Sequence, residues 1–203
     1  MRSYEVSLEI AGPTAMFTRP DTGATPISYP VPTYSAAKGI FESILRLKSV
    51  IVRPVRVEVC SPIVYHRYMT NYGGPLRKGG VLKTGGSYQL AATVLINVCF
   101  RLYAEPEPIS DGLRDTNNAH AYQEMFRRRL MRGQWHHVPC LGWKEFVPTY
   151  AGELRPETTV FKDINLSLPS FLFTVWDAPC KGKYAPSFTQ DAKVQDGVLR
   201  YAQ

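Results

Sequence analysis

The chain has 203 residues, of which 44% are hydrophobic, and a formal net charge of +7. That length and apolar share exclude a disordered segment and fit one ample core with at most a small appendage. The excess of base over acid makes a polyanion the default partner.

Cys60, Cys99, Cys140 and Cys180 are widely spaced with no CxxC pair. That excludes a small disulfide scaffold and a zinc ribbon, and predicts buried free thiols at Cys60 and Cys99. The N-terminus alternates polar and apolar residues, and no run approaches the roughly 18 apolar residues of a membrane span. The expectation is a cytoplasmic protein with no membrane partner.

Tyr4, Val6, Leu8 and Ile10 alternate with polar residues as a half-buried strand. Gly12 to Pro32 reads as a loop. Thr33 is placed to cap a helix carrying Ala36, Ile40, Ile44 and Leu47 at helical spacing. Val55, Val57 and Val59 mark a second strand. The stretch from Tyr65 to Gly86 holds six glycines and several bases, so it reads as a long functional loop or finger. Ala91 to Tyr103 is a third strand, followed by a Pro-Glu-Pro turn.

Asn117 to Arg132 is a second helix whose apolar stripe is Ala119, Tyr122, Phe126 and Leu130. Its opposite stripe is His120, Glu124, Arg128 and Arg132. A fourth strand is expected near Phe146 to Tyr150. Beyond it, Ile164, Leu166 and Leu168, then Phe171 to Trp176, suggest further β structure, and Asp196-Gly197 signals a hairpin. The order strand, helix, strand, strand, helix, strand is that of a ferredoxin-like, RNA-recognition-type α+β core, βαββαβ. It would occupy residues 1–150, with 151–203 as a short C-terminal β extension.

The placement of charge is more telling than its sum. No acid stands between Glu58 and Glu105, where Arg67, Arg77, Lys78, Lys83 and Arg101 fall. Tyr65, Tyr68 and Tyr72 interleave with His66 and Arg67 there, a mixture suited to single-stranded RNA. Met125 to Phe146, MFRRRLMRGQWHHVPCLGWKEF, joins a cluster of arginines to flat rings. Arginines clamp phosphate and rings stack bases. Arg128 and Arg132 share the open helical face and are assigned to RNA, whereas Arg129 lies toward the buried stripe and is assigned a structural ion pair. Trp135 is either a base-stacking ring or a core anchor. His136 and His137 would face opposite ways if the segment were extended, so one is expected at a ligand. With His136, His137 and Cys140 unaccompanied by a second pair at ligand spacing, no metal or cofactor is expected.

SYPVPTYSAAKGIFESI (28–44), QLAATVLINV (89–98), and MFRRRLMRGQ followed by PCLGWKEF resemble the type I-C (subtype d) Cas-five family of CRISPR systems, in the RAMP superfamily. The likeness runs in order over about three quarters of the chain. It implies a ferredoxin-like core and, as ligand, the repeat-derived 5′ handle of CRISPR RNA. It further implies metal-independent cutting of the precursor RNA, antiviral defence, and residence in the Cascade complex with its backbone and large subunits, which reach target DNA through the RNA. Cutting members carry a Tyr-Trp pair where the first helix ends and a Lys-His or Lys-Tyr pair where the second begins. Here those sites read Leu45-Arg46 and Ala121-Tyr122, so the lysine is replaced and only a tyrosine is kept.

Metal-free cleavage needs a proton taken from the 2′-hydroxyl, a proton given to the leaving 5′-oxygen, and stabilisation of the phosphorane. Histidine, ordinarily titrating near 6.5, suits the proton work, and arginine the charge. The catalytic candidates are therefore His120, Tyr122, Arg46 and His136. Tyr122 has core packing as its competing role and His120 an exposed surface position. The RNA-binding candidates are Arg128, Arg132, Trp135, His137, Arg67, Arg77, Lys78, Lys83 and Lys38. Three functions remain open: a processing endoribonuclease that stays on its product, a non-catalytic cap of CRISPR RNA with processing by another nuclease, or a general single-strand RNA-binding module unrelated to CRISPR.

Overall fold

A computed structural model of the chain describes residues 4–23, 25–72, 88–109, 118–176 and 183–201. In order these form β1 (Val6–Ala15), α1 (Tyr34–Ile44), β2 (Val50–Val59), β3 (Val64–Tyr72), β4 (Tyr88–Pro108), α2 (Asn118–Arg132), β5 (Tyr150–Gly152), β6 (Leu166–Thr174), β7 (Ser187–Gln195) and β8 (Val198–Arg200). A short 3-10 turn, Pro20–Thr22, interrupts the β1 to α1 connection. The strands make one sheet in the order β5-β1-β4-β2-β8-β7-β6, with β3 branching from β4. All its strand pairs are antiparallel. The molecule is thus a mixed α/β fold built on an antiparallel sheet with few helices.

The two described helices cover one face of that sheet. Ile40, Phe41 and Ile44 from α1 and Tyr122, Phe126 and Leu130 from α2 share a core with Leu8, Ile10, Val57, Phe100 and Leu102. Thr33 caps α1 as its sequence position requires, accepting from the Ala36 amide at 3.2 Å. Strands of residues 151–203 prolong the sheet beyond β2, and Ile164, Phe171, Val194, Leu199 and Tyr201 join the same core. Two tyrosines fasten them to the segment before α1. The Tyr201 hydroxyl donates to the Pro32 carbonyl at 2.9 Å. The Tyr29 hydroxyl donates to the Ser170 carbonyl at 3.0 Å and accepts from the Leu172 amide at 3.2 Å.

Several element limits differ from the sequence reading. Residues 65–72 are not loop but part of β3, paired in register with β4 from Val64↔Ile96 to Tyr72↔Tyr88. Their alternation is hidden because the aromatic and basic residues fall on both faces of a strand with one unpaired edge. β4 runs on through the Pro-Glu-Pro segment, pairing Pro106 with Val52 and Pro108 with Val50. Ile109 donates its amide to the Ser49 carbonyl, so the two prolines turn their missing N–H groups to the other side, where β1 has already ended. Phe146 is buried ahead of β5, which begins at Tyr150. The hairpin at Asp196-Gly197 is formed as expected, with φ of 48° and 76° at its two turn residues.

The sheet face away from the helices carries a charged cluster. Glu9 is fully buried. Its carboxylate accepts from Arg155 Nε at 2.6 Å, from the Thr158 hydroxyl at 2.9 Å and from Arg101 Nε at 3.2 Å. Burial alone would raise its pKa, but these donors together hold it below the ordinary carboxylate value. Cys99 donates its thiol toward Glu9 at 3.7 Å. Cys60 and Cys99 are free and half-buried rather than fully buried, because they lie on this polar face and not in the core. The Cys60 thiol is pushed up first by donating to the Cys99 sulfur and then by burial. Cys140 is also free and half-buried, and Cys180 lies outside the described residues.

A depressed carboxylate pKa stabilises the fold above the unfolded value, near 4.3, and that contribution is lost as pH falls through the folded one. Glu9→Gln is expected to lower stability at pH 7 by about 1 to 3 kcal/mol, since it leaves the half-buried guanidinium groups of Arg101 and Arg155 without their carboxylate. In urea titrations the gap between wild type and variant should narrow as pH drops below about 4. A gap that is constant with pH would contradict this role.

Candidate nucleic-acid interface

The outer face of α1 carries Ser35, Lys38, Gly39 and Glu42, opposite its buried Ala37, Ile40, Phe41 and Ile44, and Arg46 follows just past its end. Two clefts open on either side of this face. The larger, about 930 Å³, is lined by Lys38, Arg46, Lys48, His136 and Trp176. The second, about 750 Å³, is lined by Arg46, Ser43, His137, Cys140 and Lys144. Gly39, Glu42 and Arg46 belong to both, so the clefts form one surface across the helix. Among the described residues four cations, Lys38, Arg46, Lys48 and Lys144, stand there against the single carboxylate of Glu42. Such a surface is built for an anionic chain.

The exit from α2 brings the histidines to this place. Gly133 adopts φ of 62°, and the Gly133 and Gln134 amides donate to the Leu130 and Arg129 carbonyls. This is a Schellman ending, which reverses the chain at a left-handed glycine. Past it the His137 amide donates to the Ser43 carbonyl of α1 at 2.8 Å. The backbone bends at His136 and His137 instead of extending. Both rings are therefore exposed on one side, with centroids 4.2 Å apart. The segment is not extended, so the alternation that would turn them opposite ways does not apply; His136 lines the larger cleft and His137 the second.

The motif LGWKEF holds the bend in place. Leu141 is fully buried. Its carbonyl accepts from the Met16 amide, and its amide donates to the Phe146 carbonyl. Gly142 has φ of 93°, and a Cβ there would overlap the Met16 carbonyl. Trp143 donates to the Thr18 hydroxyl at 3.0 Å and stacks on Phe146, which meets Tyr68 edge-on. The motif is a structural clasp onto the end of β1.

The remaining sequence candidates divide as follows. Tyr122 is fully buried, its hydroxyl donates to the Leu45 carbonyl at 2.9 Å, and burial pushes its phenol far above the ordinary range. It stays neutral and out of reach of a substrate, so its expected catalytic role gives way to core packing. Arg129 donates to the Ile44 carbonyl at 3.4 Å; its structural role is to cap α1, not to form the expected ion pair. Trp135 is half-buried and packs against the core rather than offering a face to bases. His120 is exposed at the start of α2 against the edge of Tyr4, ring centroids 5.6 Å apart, and lines neither cleft. Arg128 and Arg132 are exposed on α2, and Arg67 on β3. Arg77, Lys78 and Lys83 lie outside the described residues.

The structure thus brings Arg46, His136, Lys38 and His137 together and leaves His120 apart. It adds three residues that sequence reasoning missed: Lys48, Lys144 and Trp176. Lys48 follows the helix closely enough to have been suspected. Trp176 comes from the end of β6 and reaches α1 only through the sheet order, a signal with no local trace.

A family model described as CRISPR-associated protein (Cas_Cas5) matches residues 6–200. The chain belongs to this subtype d Cas5 family. A Thermus thermophilus relative named CRISPR pre-crRNA endoribonuclease Cas5d is 29% identical over 193 residues, 83% of this chain and 72% of its own. A solved CRISPR-associated protein shares the fold over 100% of this chain and 94% of its own, with TM-score 0.73 and 18% identity. A chain of a CRISPR RNA-guided surveillance complex also does so over 97% of this chain and 87% of its own, with TM-score 0.53 and 15% identity. The family resemblance read from FRRR, GQ and LGWKEF is thereby established, and the fold places those residues at the α2 exit and its clasp.

Tyr122→Phe separates packing from chemistry. It should cost about 1 to 3 kcal/mol in thermal or urea unfolding, because the buried Leu45 carbonyl loses its donor. Any cleavage of repeat RNA per folded molecule should be unchanged; a large fall in single-turnover rate without destabilisation would return Tyr122 to the candidates for chemistry.

Proposed function

We propose that this chain binds the repeat-derived 5′ handle of CRISPR RNA as a subunit of a type I-C Cascade complex, and cuts the precursor RNA without a metal. The observation that carries this reading is the joint lining of one cleft by Lys38, Arg46, Lys48 and His136, in a family with a relative named for pre-crRNA cleavage. Arg128, Arg132 and Arg67 supply further cations on exposed α2 and β3. Backbone and large subunits of the complex are the protein partners, and target DNA is met through the RNA. The strand order β5-β1-β4-β2, with both helices on one face, supports reading the core as ferredoxin-like.

In this mechanism the RNA phosphate lies against Arg46 and Lys38. His136 removes the 2′-hydroxyl proton as the 2′-oxygen attacks phosphorus, and Arg46 offsets the charge on the pentavalent intermediate. The bond from phosphorus to the 5′-oxygen then breaks, and the imidazolium returns a proton to that oxygen. The products are a 2′,3′-cyclic phosphate and a 5′-hydroxyl end.

A second reading, a cap that binds without cutting, is favoured by one specific observation. Ala121 replaces the lysine of cutting members, and its neighbour His120 is turned to Tyr4, outside the cleft.

Incubation of the protein with its repeat RNA in EDTA decides between them. The first reading predicts a cyclic phosphate product, a loss of about 100-fold or more in rate for His136→Ala, and little change for His120→Ala. Tight repeat binding with no product at large protein excess would leave the cap.

A further inference from the structure

Gly39 stands in the second turn of α1, where glycine destabilises a helix by about 1 kcal/mol relative to alanine. Among the described residues nothing accounts for it. Its φ is not left-handed, it is exposed, and a Cβ built there meets no atom within 4 Å. Close approach of a ligand to the backbone is one of the uses that glycine serves. Gly39 lies on the seam where both clefts meet, beside Lys38.

A second observation in the same cleft is independent of the first. Trp176 lines it while remaining 62% exposed. Its ring meets Tyr184, itself 69% exposed, at 5.4 Å and 68°. Neither belongs to the core cluster. The edge of Tyr184 steadies the indole and leaves a broad apolar ring beside Lys38 and Lys48.

We infer that the α1 cleft contains a single-nucleotide subsite, in which an RNA phosphodiester seats against the helix at Gly39 and the attached base stacks on Trp176. It rests on the RNA reading of the cleft given above and adds to it a defined phosphate seat and a base platform. Stacking accepts any base, so the subsite fixes the register of the strand along the cleft and not its sequence.

The test uses the full chain with its repeat RNA, measuring Kd by fluorescence anisotropy alongside thermal unfolding. Gly39→Ala should raise Tm by about 2 °C and yet weaken RNA binding several-fold, an opposition of sign that a merely structural role would not give. Trp176→Ala should leave Tm unchanged and weaken binding about 10-fold to 100-fold, with Trp176→Phe restoring most of it. Among repeat RNAs made abasic one position at a time, one should bind wild type as weakly as intact RNA binds Trp176→Ala, and the two losses should not add. Either variant binding as tightly as wild type while Arg46→Ala weakens binding would overturn the subsite and leave the RNA reading standing. A wild-type protein that does not hold repeat RNA, or an Arg46→Ala that binds normally, would overturn both.

Discussion

The last turn of α1 ends in three carbonyls, those of Ser43, Ile44 and Leu45, and a different part of the α2 region meets each. The His137 amide takes the first at 2.8 Å, the Arg129 guanidinium the second at 3.4 Å and the Tyr122 hydroxyl the third at 2.9 Å. Helix ends leave such acceptors without intrahelical partners, and here their satisfaction is tertiary. The arrangement ties the start, the end and the exit of α2 to one spot. Arg46 follows directly on that spot and His136 precedes one of its donors, so the cleft is a consequence of how α1 is capped.

This constraint explains why motif and chemistry are separate. Of the arginine run, Arg129 is used inward as a cap, while Arg128 faces out. LGWKEF supplies a buried leucine, a left-handed glycine and two stacked rings that hold the chain onto β1. These residues identify the family because the fold needs them. The side chains facing the clefts are His136 and His137 between the two motifs, Lys38, Arg46 and Lys48 on and after α1, and Lys144 from within LGWKEF. The Glu9 cluster does the equivalent work on the other face of the sheet, binding the segment after β5 through Arg155 and Thr158.

Much of the fold was legible because its signals are local. Thr33 caps through its own side chain, Asp196-Gly197 turns because both residues accept positive φ, and the Tyr122 stripe is fixed by helical spacing alone. β3 was not legible, since its alternation carries no apolar face and the glycines after it outweighed the pairing with β4. The prolines of β4 misled for a related reason: only the ladder shows that their missing donors face an unpaired edge. In the site, Arg46, Lys38 and His136 were named from sequence. That they meet was not readable, nor that His120 stays away, because separations along α1, the α2 exit and β6 close only in the folded sheet.

In the proposed function RNA lies on the outer face of α1. Lysine footprinting with an amine-reactive ester, with and without repeat RNA, tests it in the unmodified protein. The account predicts that RNA protects Lys38, Lys48 and Lys144 and leaves Lys162 and Lys193, which lie outside both clefts, reactive. Protection of Lys162 or Lys193 with the three cleft lysines still reactive would contradict it.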